Sequence, residues 1–188
     1  ARSCGRPIVG NEINILDPDG EALAPGEIGE VVVRGPNVMQ GYWNKPEQTA
    51  AVLIDGAYWT GDLGYMDEQG YVFLVDRSKD MIVSGGENVY CTEVEEALYQ
   101  HPAILEAAVF GVPDDKWGEA VWAVIVPREG NEIEPAQVIE FCRARIAGYK
   151  VPKGIDVQLE PLPKSGPGKV LKRELRAPHW EGQGRSVN

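Results

Sequence analysis

The five residues Asp76-Arg77-Ser78-Lys79-Asp80 carry four charges, and the pattern of the chain changes across them. A stretch so charged has little to bury, so it reads as a solvated connection between two units. Before it, from about residue 5 to 76, short apolar runs alternate with turn residues. Residues 13–16 form a strand that ends in Asp17-Pro18-Asp19-Gly20, where Pro presets φ, Asp caps locally and Gly accepts positive φ. Residues 28–34, with the run Val31-Val32-Val33, give a second strand. Residues 35–42 read as loop and 46–52 as one short helix. Tyr58-Trp59-Thr60, Gly64-Tyr65-Met66 and Tyr71-Val72-Phe73-Leu74-Val75 follow as strands, the last two joined through the hairpin turn Asp67-Glu68-Gln69-Gly70. Five short strands with tight turns predict a small antiparallel barrel or sandwich.

After the junction, Met81-Ile82-Val83 is a short strand. Thr92-Glu93-Val94-Glu95 has the spacing of a capping box and opens a helix with Val94, Ala97 and Leu98 on one face, limited by Pro102. Residues 104–112 and 120–126 are apolar strands on either side of the polar turn Pro113-Asp114-Asp115-Lys116. Pro135 suits the first turn of a second helix, which carries Val138, Ile139, Cys142 and Ile146 and stops at Gly148. Residues 155–159 give another strand and 171–176 a last short helix. There is no internal repeat. The expected fold class is α+β. Residues 1–76 form a small antiparallel β subdomain. Residues 77–176 form a compact α+β domain with a short antiparallel sheet and two to three helices. Residues 177–188 form a disordered tail, since they show no periodicity.

The composition bounds the function. The chain has 188 residues, enough for one large domain or two small ones. It holds 18 Lys and Arg against 29 Asp and Glu, for a net charge of −11. That argues against general binding of nucleic acid or a membrane surface, which need a basic footprint. No apolar run approaches the ~20 residues of a spanning helix. The start, Ala1-Arg2-Ser3-Cys4-Gly5, has neither an initiator Met nor the apolar core of a signal peptide, so it reads as the interior of a longer chain. Cys4, Cys91 and Cys142 are odd in number and widely spaced. A disulfide framework or a Cys-rich zinc site is therefore not expected, and a reducing cytoplasm is. His101 and His179 belong to no metal-ligand spacing, so no metal site is expected on this chain.

Four segments could carry chemistry. Pro163-Lys164-Ser165-Gly166-Pro167-Gly168-Lys169 is a loop, and residues 160–176 hold five cations against two anions in an otherwise acidic chain. It is either a hand for an anion or a solvated surface loop. It is not a Walker A loop, because Val170 follows Lys169 where Ser or Thr is required and no glycine stands at 163. In Tyr58-Trp59-Thr60-Gly61-Asp62, a carboxylate after a Thr-Gly turn could accept two hydroxyls, or the segment could be only a turn. The charged run from Asp76 to Asp80 is a linker or a ligand contact. Ser84-Gly85-Gly86-Glu87-Asn88 lets a backbone approach a ligand or turn sharply.

Taken in order, these segments form one pattern: Tyr58-x-Thr60-Gly61-Asp62, Asp76-Arg77-x-Lys79-Asp80-Met81-Ile82, Gly85-Gly86-Glu87-Asn88-Val89, and Pro163-Lys164-Ser165-x-x-Gly168-Lys169. The pattern resembles the adenylate-forming (ANL) superfamily, which includes acyl-CoA synthetases, luciferases and adenylation domains of peptide synthetases. The likeness runs over about residues 5–176 and is greatest to fatty-acyl and aryl-acyl CoA ligases. It covers only the end of such an enzyme. The family's Ser/Thr/Gly-rich phosphate loop, its Thr-Glu motif for Mg²⁺ and its acyl pocket all precede this segment.

The resemblance implies roles. Asp62 would accept from the ATP ribose hydroxyls, Arg77 would contact the ribose or phosphate side, and Lys169 would be the adenylation lysine. Lys79 would be the hinge about which the small domain turns between two half-reactions. Gly85 and Gly86 would face the incoming CoA thiol, with Trp117, Lys150 and Lys153 lining its approach. The implied activity is that of a carboxylic acid:CoA ligase using ATP and CoA, with Mg²⁺ held outside this chain. The alternatives are an adenylation domain that loads a carrier-protein pantetheine, or a folded module inert on its own. The expected partners are a fatty or aryl acid and the rest of the large domain, with no nucleic acid and no transmembrane segment.

Overall fold

The structure, a computed structural model, describes residues 3–181. It divides into two compact units, the first ending at Lys79 and the second starting at Asp80.

The first unit is a single antiparallel sheet. Its strands are β1 (Glu12–Leu16), β2 (Gly29–Arg34), β3 (Leu53–Ile54), β4 (Ala57–Met66) and β5 (Val72–Arg77). β1 pairs with β2, β2 with β4, and the far edge of β4 takes β3 at one end and β5 at the other. The strands form one five-stranded layer, where their spacing had suggested a barrel or sandwich. Helix α1 (Pro46–Ala50) is one short turn with Pro46 at its start. Tyr58 to Met66, expected as two strands, is one. The Thr-Gly pair is absorbed as a bulge, because its polar groups find partners on β2.

The second unit is built on a long hairpin, β8 (Ile104–Asp114) and β9 (Gly118–Pro127). The other strands are β6 (Ile82–Ser84), β7 (Glu87–Val89) and β10 (Gly154–Val157). β6 pairs with β7 and, through Ser84 and Gly118, with the start of β9. β10 runs parallel to β9, and the remaining pairs are antiparallel. The hairpin strands are apolar without alternation because both faces are covered. Ala107, Val109, Val121, Ala123 and Ile125 pack on one face with α2 (Cys91–Tyr99) and α3 (Pro135–Arg143), through Val94, Leu98, Val138 and Cys142. Ala108, Phe110, Val112, Ala120, Val124 and Val126 form the other face, covered by Leu162, Val170 and Leu175. Each fully buried Val, Leu, Ile or Phe side chain contributes about 1.5–3 kcal/mol.

Three expectations are corrected here. Helix α2 begins after Tyr90 with no side-chain cap. The helix starts at Cys91, so Thr92 lies inside its first turn and not at the N-cap, and the Glu95 carboxylate accepts from the Val109 amide at 2.9 Å and pairs with Lys172 at 2.7 Å. Helix α3 ends at Arg143, short of Gly148, and a 3₁₀ turn covers Gly148–Lys150. The last helix, α4, runs over Lys172–Trp180 and includes Pro178, so residues 177–180 are not a disordered tail. Trp180 Nε1 donates to the Gly111 carbonyl, and His179 lies against the rings of Phe110 and Trp122. The rest of the expected tail, residues 182–188, lies outside the described residues.

Candidate functional site

The first cluster lies on β4 and β5. Val32 pairs with Trp59 and Glu30 with Leu63, so Thr60, Gly61 and Asp62 together oppose Val31. Thr60 Oγ1 donates to the Val31 carbonyl at 2.7 Å and accepts from the Asp62 amide at 3.1 Å. The Gly61 amide donates to Glu30 Oε1 at 2.9 Å, and Gly61 takes φ +71°, open to glycine without strain. The bulge re-aims the strand. Asp62 is paired directly across the ladder with Arg77, and Arg77 Nε meets Asp62 Oδ1 at 2.9 Å. The two side chains are 28% and 44% exposed, so the pair contributes at most about 1 kcal/mol. Asp62 Oδ2 and the terminal nitrogens of Arg77 have no partner among the described residues. A hydrogen bond to Tyr42 pushes the Tyr58 phenol above its usual range, as do burial and the charge of Asp62, with Arg77 opposing. The cluster is therefore Tyr42, Tyr58, Asp62 and Arg77.

Lys79 follows in an exposed 3₁₀ turn, Ser78–Asp80. The Asp80 carbonyl accepts from Cys91 Sγ at 2.8 Å, which ties the end of this turn to the first residue of α2.

A second cluster lies at the Gly118 end of β9. Ser84 pairs with Glu87, so Gly85 and Gly86 form a two-residue hairpin turn with φ +63° and +86°. The Gly85 amide donates to the Trp117 carbonyl at 2.9 Å, and a Cβ on Gly85 would sit 2.7 Å from Trp117 Cε3. The indole thus lies on bare backbone. Asp114 Oδ1 accepts from the Lys116 and Trp117 amides at 2.9 Å, and the Lys116 ammonium lies 4.5 Å from the Trp117 ring centroid. The 3₁₀ turn Gly148–Lys150 packs beside β7, and the exposed Lys153 donates its amide to the Val121 carbonyl. Gly85 and Trp117 are thus in contact, while Lys150 and Lys153 lie on the segment that runs beside β7 and Val121. Lys150 is already held, with its ammonium 2.7 Å from both Glu93 oxygens. Burial pulls its pKa down, yet the Glu93 hydrogen bonds and charge more than offset this and hold it above the usual lysine range.

Lys169 lies elsewhere. Its loop is closed by a bridge between Lys164 and Val170 and by the Leu171 amide donating to the Pro163 carbonyl. The Ser165 amide donates to the Lys169 carbonyl at 2.8 Å, and the Lys169 amide to Ser165 Oγ at 3.2 Å. The Lys169 side chain is exposed and its ammonium has no partner among the described residues. The base of the loop is tied to Glu106, which pairs with Val126 at the far end of the hairpin. Gly118 and Val126 are separated by eight strand steps, about 25 Å. The structure therefore gathers the glycine turn and Trp117 and keeps the lysine loop apart from them.

Sequence reasoning passed over Glu106, Glu93 and Tyr42. Glu106 had a signal, as a carboxylate inside an otherwise apolar strand run. Tyr42 had none, being a loop aromatic.

Comparison with known proteins matches the family model for the AMP-binding enzyme C-terminal domain over residues 93–169, and that for the AMP-binding enzyme over residues 1–43. The chain belongs to the AMP-binding, adenylate-forming enzyme family. It is 49% identical over 174 residues to a feruloyl-CoA synthase of Amycolatopsis, covering 93% of this chain and 35% of that protein. It is 54% identical over 156 residues to a long-chain-fatty-acid–CoA ligase of Bacillus subtilis, covering 83% and 28% respectively. The solved o-succinylbenzoate CoA synthetase of Bacillus subtilis, in complex with an acyl-adenylate intermediate, superposes with a TM-score of 0.85 at 38% identity, covering 99% of this chain and 36% of that one. This adenylate-forming chain spans about a third of the length of the curated relatives it matches.

Proposed function

We propose that this chain is the C-terminal part of an ATP-dependent carboxylic acid:CoA ligase. In the first half-reaction a carboxylate oxygen attacks the α-phosphorus of ATP, giving acyl-AMP and releasing pyrophosphate. In the second, the CoA sulfur attacks the acyl carbon, giving the thioester, AMP and a proton. Residues 1–76 belong to the large adenylating domain in this reading, and the unit that follows is the mobile C-terminal domain.

The observation that carries the proposal is a free lysine on a loop whose base is tied beside Val126, and a glycine turn with an indole on it beside Gly118, so the two are anchored to opposite ends of β9, a strand about 25 Å long. That arrangement suits two reactions served in turn and not one site. Asp62 keeps an unpartnered oxygen for a vicinal diol, and Arg77 keeps its terminal donors for nucleotide oxygens. Lys169 presents an unpaired ammonium to the charge that grows on the α-phosphate oxygens, so it acts more in the transition state than in the ground state. Gly85 and Gly86 offer backbone where a thiol arm must pass, Trp117 shields it, and Lys153 faces its phosphates. Lys150, tied to Glu93, braces that end. Mg²⁺ would neutralise phosphate charge from ligands elsewhere in the enzyme. The acids acted on are aryl or fatty acids, and the proposed location is the cytoplasm. Among the described residues no helix is long and apolar enough to cross a membrane.

The test is Lys169→Ala in the full-length enzyme. Pyrophosphate release should fall by about a hundredfold or more, while thioester formation from supplied acyl-AMP stays within about twofold. Equal loss in both steps would make the lysine structural and sink the two-site reading.

A further inference from the structure

The lysine loop has an internal frame, but that frame alone does not fix where it points. Its tip is a hairpin closed on itself by Ser165, Lys169, Pro163 and Leu171. On its exit side Val170 packs against the second core cluster, and two things attach its entry side. Leu162 is buried in the second core cluster, and one carboxylate grips the segment that follows. Glu106 Oε2 accepts from the Leu162 amide at 3.1 Å, and Glu106 Oε1 accepts from the Lys164 ammonium at 2.6 Å. One carboxylate thus holds two points two residues apart, at the place where the loop leaves the core. The strand is built to present it. Ile104 pairs with Pro127 and Glu106 with Val126, so Leu105 is an extra residue and β8 is bulged beside Glu106. The side chain of Glu106 is 19% exposed and that of Lys164 is 39% exposed.

We infer that Glu106 is a positioning residue for the adenylation half-reaction, fixing the direction of the Lys169 loop through its clamp on Leu162 and Lys164. This rests on the reading of Lys169 as the adenylation lysine. Glu106 touches neither substrate nor reacting atoms in this role. It holds the loop base so that the Lys169 ammonium meets the α-phosphate without a search over loop orientations. A lysine misplaced by about 1 Å loses up to about a hundredfold in rate. The second cluster, at the other end of β9, does not depend on this clamp. The lowered carboxyl of Glu106 agrees with the geometry: the Lys164 hydrogen bond draws it down, burial opposes, and the Leu162 amide and the Lys164 charge add.

The experiment uses the full-length enzyme and two rates, pyrophosphate release with ATP and acid, and thioester formation from supplied acyl-AMP. Glu106→Gln keeps an acceptor for the Leu162 amide and removes the charge, and Lys164→Met removes the other partner. Each should slow adenylation roughly 10- to 100-fold, through kcat and not the KM for ATP, with the thioester step within about twofold. The double variant should be no slower than the worse single one, because both remove one interaction. Wild-type adenylation in Glu106→Gln, additive losses, or equal loss in both half-reactions would each overturn the inference. Lys169→Ala runs beside them. Adenylation retained there would instead overturn the proposed function, while loss there with a normal rate in Glu106→Gln would overturn the positioning role alone.

Discussion

Gly85 shows how one residue can carry both a turn and a surface. Its φ of +63° is open to glycine, and its bare face is filled by the Trp117 ring. Gly85→Ala meets both constraints at once. The left-handed backbone costs an alanine about 1–2 kcal/mol, and the indole must leave. In the full-length enzyme we expect thioester formation to drop roughly tenfold or more, from displacement of Trp117, with adenylation nearly unchanged. Rates of both half-reactions check this, and a variant slowed only in adenylation would contradict the assignment of this turn to the thiol step. The two glycines were legible in the sequence as a turn, because paired glycines leave few other readings. Their contact with Trp117 was not, since it joins positions more than thirty residues apart that only the sheet brings together. The same holds for Lys150. Resemblance named it as a CoA contact, but its capture by Glu93 joins positions 57 residues apart that only packing brings together.

At the scale of elements, the sequence spoke clearly where burial is uniform and poorly where tertiary partners compete. β8 and β9 stood out as apolar runs because both faces are covered. β4 broke into two pieces on paper because Thr-Gly-Asp looks like a turn, and Glu30 and Val31 make it a bulge. The N-cap moved from Thr92 to Tyr90, while Val109 and Lys172 engage the Glu95 carboxylate. Helix α4 was cut short because the residues after 176 show no periodicity, and Trp180 and His179 hold the turn beyond it. The lysine loop gives a pH prediction at this scale. The carboxyl of Glu106 lies below its ordinary value of 4.5 in the folded state. A depressed carboxyl contributes stability that is present above that value and is lost as pH falls through the folded one. The urea midpoint of the wild type should therefore exceed that of Glu106→Gln near pH 7, and the gap should narrow steadily below about pH 4.5. A gap independent of pH would show that the charge of Glu106 contributes nothing to holding the loop.

At the scale of the molecule, Lys79 stands in the 3₁₀ turn where the first unit ends. The proposed hinge makes a prediction about backbone freedom and not about the side chain, which is exposed. Lys79→Pro fixes φ near −65°, a value that a 3₁₀ turn already uses. The variant should keep a melting temperature within a few degrees of the wild type and lose one half-reaction while retaining the other. Wild-type rates in both would reduce Lys79 to an ordinary linker residue. The length of β9 then acquires a meaning beyond packing. Its two ends anchor different segments about 25 Å apart, the lysine loop at one and the glycine turn at the other, so under the proposed function the segment that serves activation and the segment that serves transfer cannot occupy the same place at once. In the proposed enzyme, distance along a strand becomes order in time: activation is finished before transfer can begin, and the intermediate waits under cover.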